Sequence, residues 1–180
     1  GDAAARLRIG CRIGRAYYCL FDPDSMYRYF DDATAGAHSS GMSHERIMML
    51  NTMGVFNMVN AINYSQALDY FYQAMNLASE SGDRGDYYRS LTNVTIIHYY
   101  RRDPEGLETA RAIYDYGREN GDVAREYTGA LMLAYMYHTL GNDGEALKYV
   151  DIALEHPEYA TGTGSPEPLH ACVLASLGRD

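Results

Sequence analysis

Small and apolar residues recur at helical spacing through residues 126–158 and predict two consecutive helices. The residues of the first inner face fall on one stripe of a helix. They are Leu133, Ala134, Tyr137 and Leu140. After a Gly-Asn-Asp break at 141–143, the second inner face takes up the same spacing. Its residues are Ala146, Val150 and Ala153.

The break at 141–143 carries residues that end one helix and start the next. Asn142 is a preferred N-cap residue, and Glu145, three positions later, predicts a capping box. Small side chains at Ala134 and Ala146 allow the two helix backbones to approach closely. Residues 126–158 therefore predict a helix–turn–helix hairpin.

Three further copies of this hairpin pattern occur earlier in the chain. The position of Ala134 recurs at equal intervals, at Gly14, Gly54 and Val94. The other first-helix positions match at Tyr17, Leu20, Asn57 and Ile97. The second-helix positions match at Met26, Phe30, Ala33, Ala67, Phe71, Ala74, Gly106, Ala110 and Ile113. A regular repeat of this kind predicts that the hairpins stack on one another.

The loops between the predicted helices repeat as well. An Asp-Pro dipeptide at 22–23, and again at 103–104, places a cap and a proline at the start of a second helix. A Gly-Asp dipeptide at 82–83, and again at 121–122, ends one helix with glycine and caps the next with aspartate. We expect residues 35–43 to have the same role in a looser form.

This pattern resembles the tetratricopeptide repeat, a helix–turn–helix unit of about 34 residues. The copies here are longer than that unit, because the equivalent positions Gly14, Gly54, Val94 and Ala134 are spaced more widely. The resemblance implies an all-α fold, a right-handed α–α superhelix of four repeats followed by a C-terminal helix. It also implies that residues 1–180 form a single domain. The expected repeats are at about 3–40, 43–82, 83–121 and 122–157, followed by a loop at 158–168 and a final helix at 169–178. We expect the chain to be part of a longer protein; the alternative is that the final helix caps the array.

The resemblance also implies that the first helix of each repeat lines a concave groove that binds a peptide or protein. Carried over position by position, the groove residues are Arg8, Arg15, Tyr18, Met48, Asn51, Val55, Met58, Tyr88, Leu91, Thr95, His98, Thr128, Leu131, Tyr135 and His138. Met and Tyr side chains give adaptable apolar contact, and Arg8 with Arg15 suits a carboxylate. The alternative is that Tyr88, Leu91 and Leu131 simply pack against neighbouring helices.

One ligand class of these repeats is not expected here. The members that bind chaperone tails hold a carboxylate with Lys and Asn side chains. The corresponding places in this sequence are Cys11, Arg15, Thr52, Tyr88 and Thr92. Only one of the five is basic, so the pattern of that clamp is missing.

Composition and charge argue against two further kinds of interaction, with nucleic acid and across a membrane. The formal net charge is −9, which argues against a nucleic-acid-binding surface, because such a surface needs a basic face. Eighteen tyrosines and no tryptophan suit a helical array with much half-buried surface. No apolar run is long enough to span a membrane.

The cysteines constrain the compartment weakly. Cys11 and Cys19 would lie about 12 Å apart along one helix, which is too far for a disulfide. Free thiols favour a reducing compartment, so we expect a cytoplasmic protein. An extracytoplasmic sensor domain is the alternative. The start of the sequence resembles the remnant of a cleaved tag, which is compatible with the removal of a signal peptide or anchor.

Side chains that carry chemistry form no familiar arrangement in the sequence. We find no nucleophile–His–acid pattern, P-loop or zinc-protease motif, and we expect no enzyme activity and no cofactor. His98 and His138 occupy equivalent places, but we expect no carboxylate or thiol beside them and therefore no metal site.

Two hypotheses of function follow. The first is a non-catalytic scaffold that binds a protein or peptide, as in the sensing or interaction domain of a bacterial regulator. The second is a structural or oligomerisation module that pairs through exposed helix faces or through an open C-terminal end. That end would expose Leu169, Val173 and Leu174.

Overall fold

The computed structural model describes residues 3–34, 43–160 and 165–179. Within these ranges the chain forms nine α-helices and one short 3₁₀ helix. The α-helices are α1 (Ala3–Cys19), α2 (Pro23–Thr34), α3 (Ser43–Val59), α4 (Tyr64–Ser81), α5 (Arg84–Arg101), α6 (Gly106–Asn120), α7 (Val123–Thr139), α8 (Asp143–Leu154) and α9 (Glu167–Ser176). The 3₁₀ helix spans Pro157–Tyr159, at the start of the loop predicted at 158–168.

Helices that follow one another in the chain pack side by side and run antiparallel. Helix α1 packs on α2, α3 on α4, α6 on α7, α7 on α8 and α8 on α9. The prediction of an all-α chain of sequential helix pairs is confirmed, and the packing is consistent with a helical repeat.

The chain divides into two compact units. The N-terminal unit is Gly1–Asn93 and the C-terminal unit is Val94–Asp180, so the boundary falls within α5. The core of the N-terminal unit includes Leu7, Met26, Phe30, Ile47, Met49 and Ala74. The core of the C-terminal unit includes Ala110, Leu131, Leu133, Ala134, Val150 and Val173.

The inner faces that the repeat pattern predicts on the second helices are buried in every pair. The buried second-helix residues are Met26, Phe30, Ala33, Ala67, Phe71, Ala74, Ala110, Ile113, Ala146, Val150 and Ala153. Side-chain size is also matched between the two helices of a hairpin. Gly14 and Gly54 each face a phenylalanine ring, that of Phe30 and that of Phe71. In the later copies the corresponding pairs are Val94 with Ala110 and Ala134 with Val150, and all four residues are buried.

The last residue of the predicted first-helix face is placed differently. Leu20 is 71% exposed and Leu140 is 38% exposed. Helices α1 and α7 end one residue earlier, at Cys19 and Thr139, so both leucines lie beyond the helical stripe. The expectation that they belong to the inner face is therefore wrong.

Helix ends follow the loop pattern closely. Gly82 and Gly121 adopt left-handed backbone angles after α4 and α6. The side chain of Asp83 accepts a hydrogen bond from the N–H of Asp86, at 2.9 Å. Asp122 caps α7 in the same way. Most of the loop predicted at 35–43 lies outside the described residues.

Two details of the predicted helix starts are wrong. Asn142 accepts a hydrogen bond from the N–H of Glu145, at 3.3 Å. The reciprocal half of the capping box is missing, because the Asn142 N–H donates to the carbonyl of Tyr137 and Glu145 contacts Lys148. Helix α6 begins at Gly106, two residues after the proline expected to open it.

The C-terminal helix α9 packs against the core of its unit. Leu169 and Val173 are buried, and α9 packs on α8 and α7. The expectation that both side chains would be uncovered at an open end is wrong, because they form the inner face of α9. None of the described helices combines the length and apolar character that a bilayer-crossing helix needs.

Candidate functional site

An open cavity of about 560 Å³ lies on the N-terminal unit, along α1, α3 and the first half of α5. We call it the N-terminal groove. Five of the groove residues predicted from the sequence line it: Arg15, Tyr18, Met48, Asn51 and Val55. Five further residues that the prediction omitted also line it: Cys19, His44, Thr52, Arg89 and Asn93.

Helical spacing explains why these side chains come together. Met48, Asn51 and Val55 lie three and four positions apart and form one stripe along α3. Arg15 and Tyr18 lie three positions apart near the end of α1, which packs on α3. Each helix therefore contributes one row of side chains to the same cavity.

A polar network ties α3 to α5 beneath the groove. The amide nitrogen of Asn51 donates to the hydroxyl of Ser90, at 2.9 Å. The amide oxygen of Asn51 accepts from Asn93, at 3.1 Å. The hydroxyl of Ser90 in turn donates to the carbonyl of Asp86, at 3.0 Å. Because Asn51 and Ser90 are buried, these bonds fix the amide groups in place.

The carboxylate of Asp86 contacts two basic side chains that line the groove, those of His44 and Arg89. Asp86 is only 2% exposed, and its Oδ2 lies 2.6 Å from Nδ1 of His44. Its Oδ1 contacts the guanidinium of Arg89. The charge of Asp86 is thus matched within the protein, as a buried carboxylate requires.

Arg15 adds a second guanidinium to the groove. Its side chain is exposed, and no ion pair engages it in the part of the chain that the structure describes. In a chain with a net charge of −9, two arginines therefore line this groove. Arg89 already contacts the buried carboxylate of Asp86, so Arg15 supplies the positive charge that this carboxylate does not match. This arrangement attracts a negatively charged group.

The two cysteines of α1 differ in environment. Cys11 is buried, its thiol donates to the carbonyl of Glu45, and burial raises its pKa although nearby Arg15 opposes the shift. Cys19 is exposed and lines the groove. Of the two thiols of α1, that of Cys19 is therefore the one accessible to reagents in the groove.

The other predicted groove residues of the N-terminal unit lie elsewhere. Arg8 is exposed on α1, outside the lining of the groove. Met58 and Leu91 are buried, and Tyr88 lines a separate cavity beside Gly82 and Tyr87. The burial of Leu91 agrees with the alternative that this position packs against neighbouring helices.

In the C-terminal unit the predicted groove residues are mostly committed to packing. Thr95 is buried and donates to the hydroxyl of Thr109, at 2.8 Å. Leu131 belongs to the core, and the ring of Tyr135 packs against it and lies 5.5 Å from that of Tyr99. Thr128, which is half-buried, donates to a carbonyl of its own helix.

The two equivalent histidines each have a carboxylate beside them. Nδ1 of His98 lies 3.1 Å from Oδ2 of Asp103. Nδ1 of His138 lies 2.5 Å from Oδ1 of Asp143. The expectation that no carboxylate would accompany these histidines is wrong. The spacing His-x₄-Asp, which occurs at equivalent places in two successive repeats, was the pattern that could have shown the pairs.

No protein-family model and no curated protein matches this chain. The fold and the groove define its class as an all-α protein of sequential helix pairs.

Proposed function

We propose that this chain is a non-catalytic scaffold that binds a peptide segment of a partner protein in the N-terminal groove. The observation that carries the proposal is the groove itself, an open cavity lined by residues of α1, α3 and α5. In this proposal the helix pairs form tetratricopeptide-like repeats in a right-handed superhelix, with the groove on its concave face.

The lining favours a peptide of mixed character. Met48 and Val55 offer apolar contact, and the ring of Tyr18 offers a surface for either an apolar or a polar side chain. Arg15 and Arg89 suit a carboxylate. A short acidic segment that also carries an apolar side chain meets both requirements.

The length of the repeats suggests the setting of such a scaffold. Repeats longer than the usual tetratricopeptide unit resemble those of the sensing and interaction domains of bacterial regulators. We therefore propose that peptide binding here supplies the input or the docking contact of a regulatory protein.

Peptide selection from a random displayed library tests the proposal. We expect the selected peptides to combine Asp or Glu with an apolar residue, and the substitution Arg15→Glu to weaken their binding about tenfold or more. A hydrogen bond to a charged group contributes about 1.5–3 kcal/mol, and 1.4 kcal/mol corresponds to a factor of ten. Fluorescence anisotropy with a labelled peptide measures the change.

The matched control is Arg46→Glu. Arg46 is exposed on α3, two positions from Met48, and does not line the groove. Its substitution by glutamate changes the net charge by the same amount as Arg15→Glu. We expect Arg46→Glu to bind the peptide as the wild type does. Equal binding by wild type and Arg15→Glu, or a library that yields no peptide, contradicts the proposal.

Alkylation of cysteine gives a second, independent prediction. A bound peptide should slow the reaction of Cys19 with iodoacetamide and leave that of Cys172, which is exposed in the C-terminal unit, unchanged. Cys11 should react slowest of the three, because it is buried and its pKa is raised. Mass spectrometry of digested protein measures all three rates. Labelling of Cys19 at the same rate with and without peptide would place the peptide elsewhere.

A further inference from the structure

Three potential metal ligands converge in the C-terminal unit, where α5 ends and α6 begins. They are His98 in the last turn of α5, Asp103 in the connection and Glu105 at the N-cap of α6. One ligand atom from each side chain lies within 4.8 Å of those of the other two. An imidazole nitrogen with carboxylate oxygens is a ligand set that zinc accepts.

The distance between the first two donor atoms fits a shared ion. Zinc bonds nitrogen and oxygen ligands at about 2.0–2.2 Å, so neighbouring donors of a tetrahedral site lie roughly 3.3 Å apart. Nδ1 of His98 and Oδ2 of Asp103 are 3.1 Å apart. These two atoms already have the separation of two ligands on one ion.

The surrounding chain holds this geometry. His98 is 5% exposed, so its ring is fixed by packing. A Cβ at Gly106 would lie 2.8 Å from Cβ of His98, so the glycine lets the start of α6 approach the histidine. The second carboxylate oxygen of Asp103 accepts from the N–H of Glu105, at 3.1 Å. Such a bond orients a ligating carboxylate.

The next repeat contains the same spacing but a different environment. His138, Asp143 and Glu145 occupy the equivalent places one repeat later. Glu145 is engaged by Lys148, whose position in the preceding repeat is held by Glu108. Across the described ranges, no ion pair engages Glu105. The third ligand, a glutamate carboxylate, is therefore available in one copy and matched by lysine in the other.

A second group of similar residues is less suited to an ion. His44, Asp83 and Asp86 also bring ligand atoms within 4.8 Å of one another. However, the guanidinium of Arg89 contacts the carboxylate of Asp86. A divalent cation at that place would be repelled by the arginine.

We propose that His98, Asp103 and Glu105 form a site for one zinc ion, with water as the fourth ligand. Binding displaces the proton that joins Nδ1 of His98 to Oδ2 of Asp103 and releases it to solvent. The bound ion then links the end of α5 to the start of α6. The site goes beyond peptide binding and does not depend on it.

Zinc titration of the metal-free protein under reducing conditions tests this site. Isothermal calorimetry should show one zinc ion per chain for the wild type and a higher melting temperature with zinc. The substitution Glu105→Gln should weaken binding at least about tenfold, since even groups outside the ligand shell commonly contribute 10–100-fold. Glu105 is exposed, so this variant is expected to fold.

The matched control is Glu145→Gln, the same change at the equivalent place in the next repeat. It should bind zinc with the affinity of the wild type. Substitution of Co²⁺ for Zn²⁺ should show no thiolate charge-transfer absorption, because the proposed ligands include no cysteine. The proposal is overturned if the wild type binds no zinc, if Glu105→Gln binds as tightly as the wild type, or if Co²⁺ shows a thiolate band.

Discussion

Replacing Phe71 with alanine is expected to lower the free energy of unfolding by about 3–5 kcal/mol. The side chain of Phe71 is fully buried in the pair formed by α3 and α4. Its ring fills the space that the missing side chain of Gly54 leaves, since a Cβ at Gly54 would lie 2.4 Å from Cε1 of Phe71. Alanine removes the ring and leaves a cavity that two packed helices can close only in part. Chemical denaturation followed by circular dichroism measures the loss.

The repeat itself supplies a compensating change. In the third copy the corresponding pair is Val94 with Ala110, which reverses the sizes of Gly54 and Phe71. The double variant Gly54→Val, Phe71→Ala is therefore expected to recover part of the lost stability. Tyr72→Ala, at an exposed neighbour on α4, should cost much less. A double variant no more stable than Phe71→Ala alone would contradict size matching between the two positions.

The sequential helix pairs were predictable because the sequence information that determines them is local. Glycine and aspartate at the loops, with small and apolar residues at helical spacing, determine where helices begin and which face is buried. Leu140 shows the limit of this reasoning, because periodicity alone does not show that α7 ends at Thr139. One residue of difference moves the side chain from the inner face to the surface.

The groove was predictable only in part because its lining depends on contacts between distant residues. Asn51 and Ser90 are 39 positions apart, and their hydrogen bond joins two helices whose separation the sequence does not give. The prediction of the groove residues omits Arg89 for the same reason. Arg89 lies on α5, where it contacts Asp86, and the sequence does not show that α5 lies beside α3. The pairing of His98 with Asp103 is different, because the repeated His-x₄-Asp spacing is visible in the sequence.

Substitution of Gly129 by alanine is expected to destabilise the C-terminal unit by about 2 kcal/mol, because overpacking at the upper end of its usual range costs about 3 kcal/mol and the higher helix propensity of alanine returns about 1 kcal/mol. Gly129 on α7 faces the backbone of α6, and a Cβ there would lie 2.3 Å from N and 2.4 Å from Cα of Tyr114. Gly117 on α6 makes the reciprocal approach, with a Cβ 2.2 Å from N of Glu126. Backbone atoms cannot rotate aside as a side chain can, so the two helices must separate.

The separation would loosen the core that α6 and α7 share, which contains Ala110, Tyr114 and Leu131. Alanine is about 1 kcal/mol more favourable than glycine inside a helix. The measured loss of stability is therefore the cost of overpacking minus this gain in helix propensity. Gly144→Ala on α8 isolates the gain, because a Cβ there meets nothing closer than 4.0 Å. Thermal and chemical unfolding should therefore show Gly144→Ala at or slightly above the wild type and Gly129→Ala well below it. If both variants matched the wild type, the close approach of α6 and α7 would not contribute to stability.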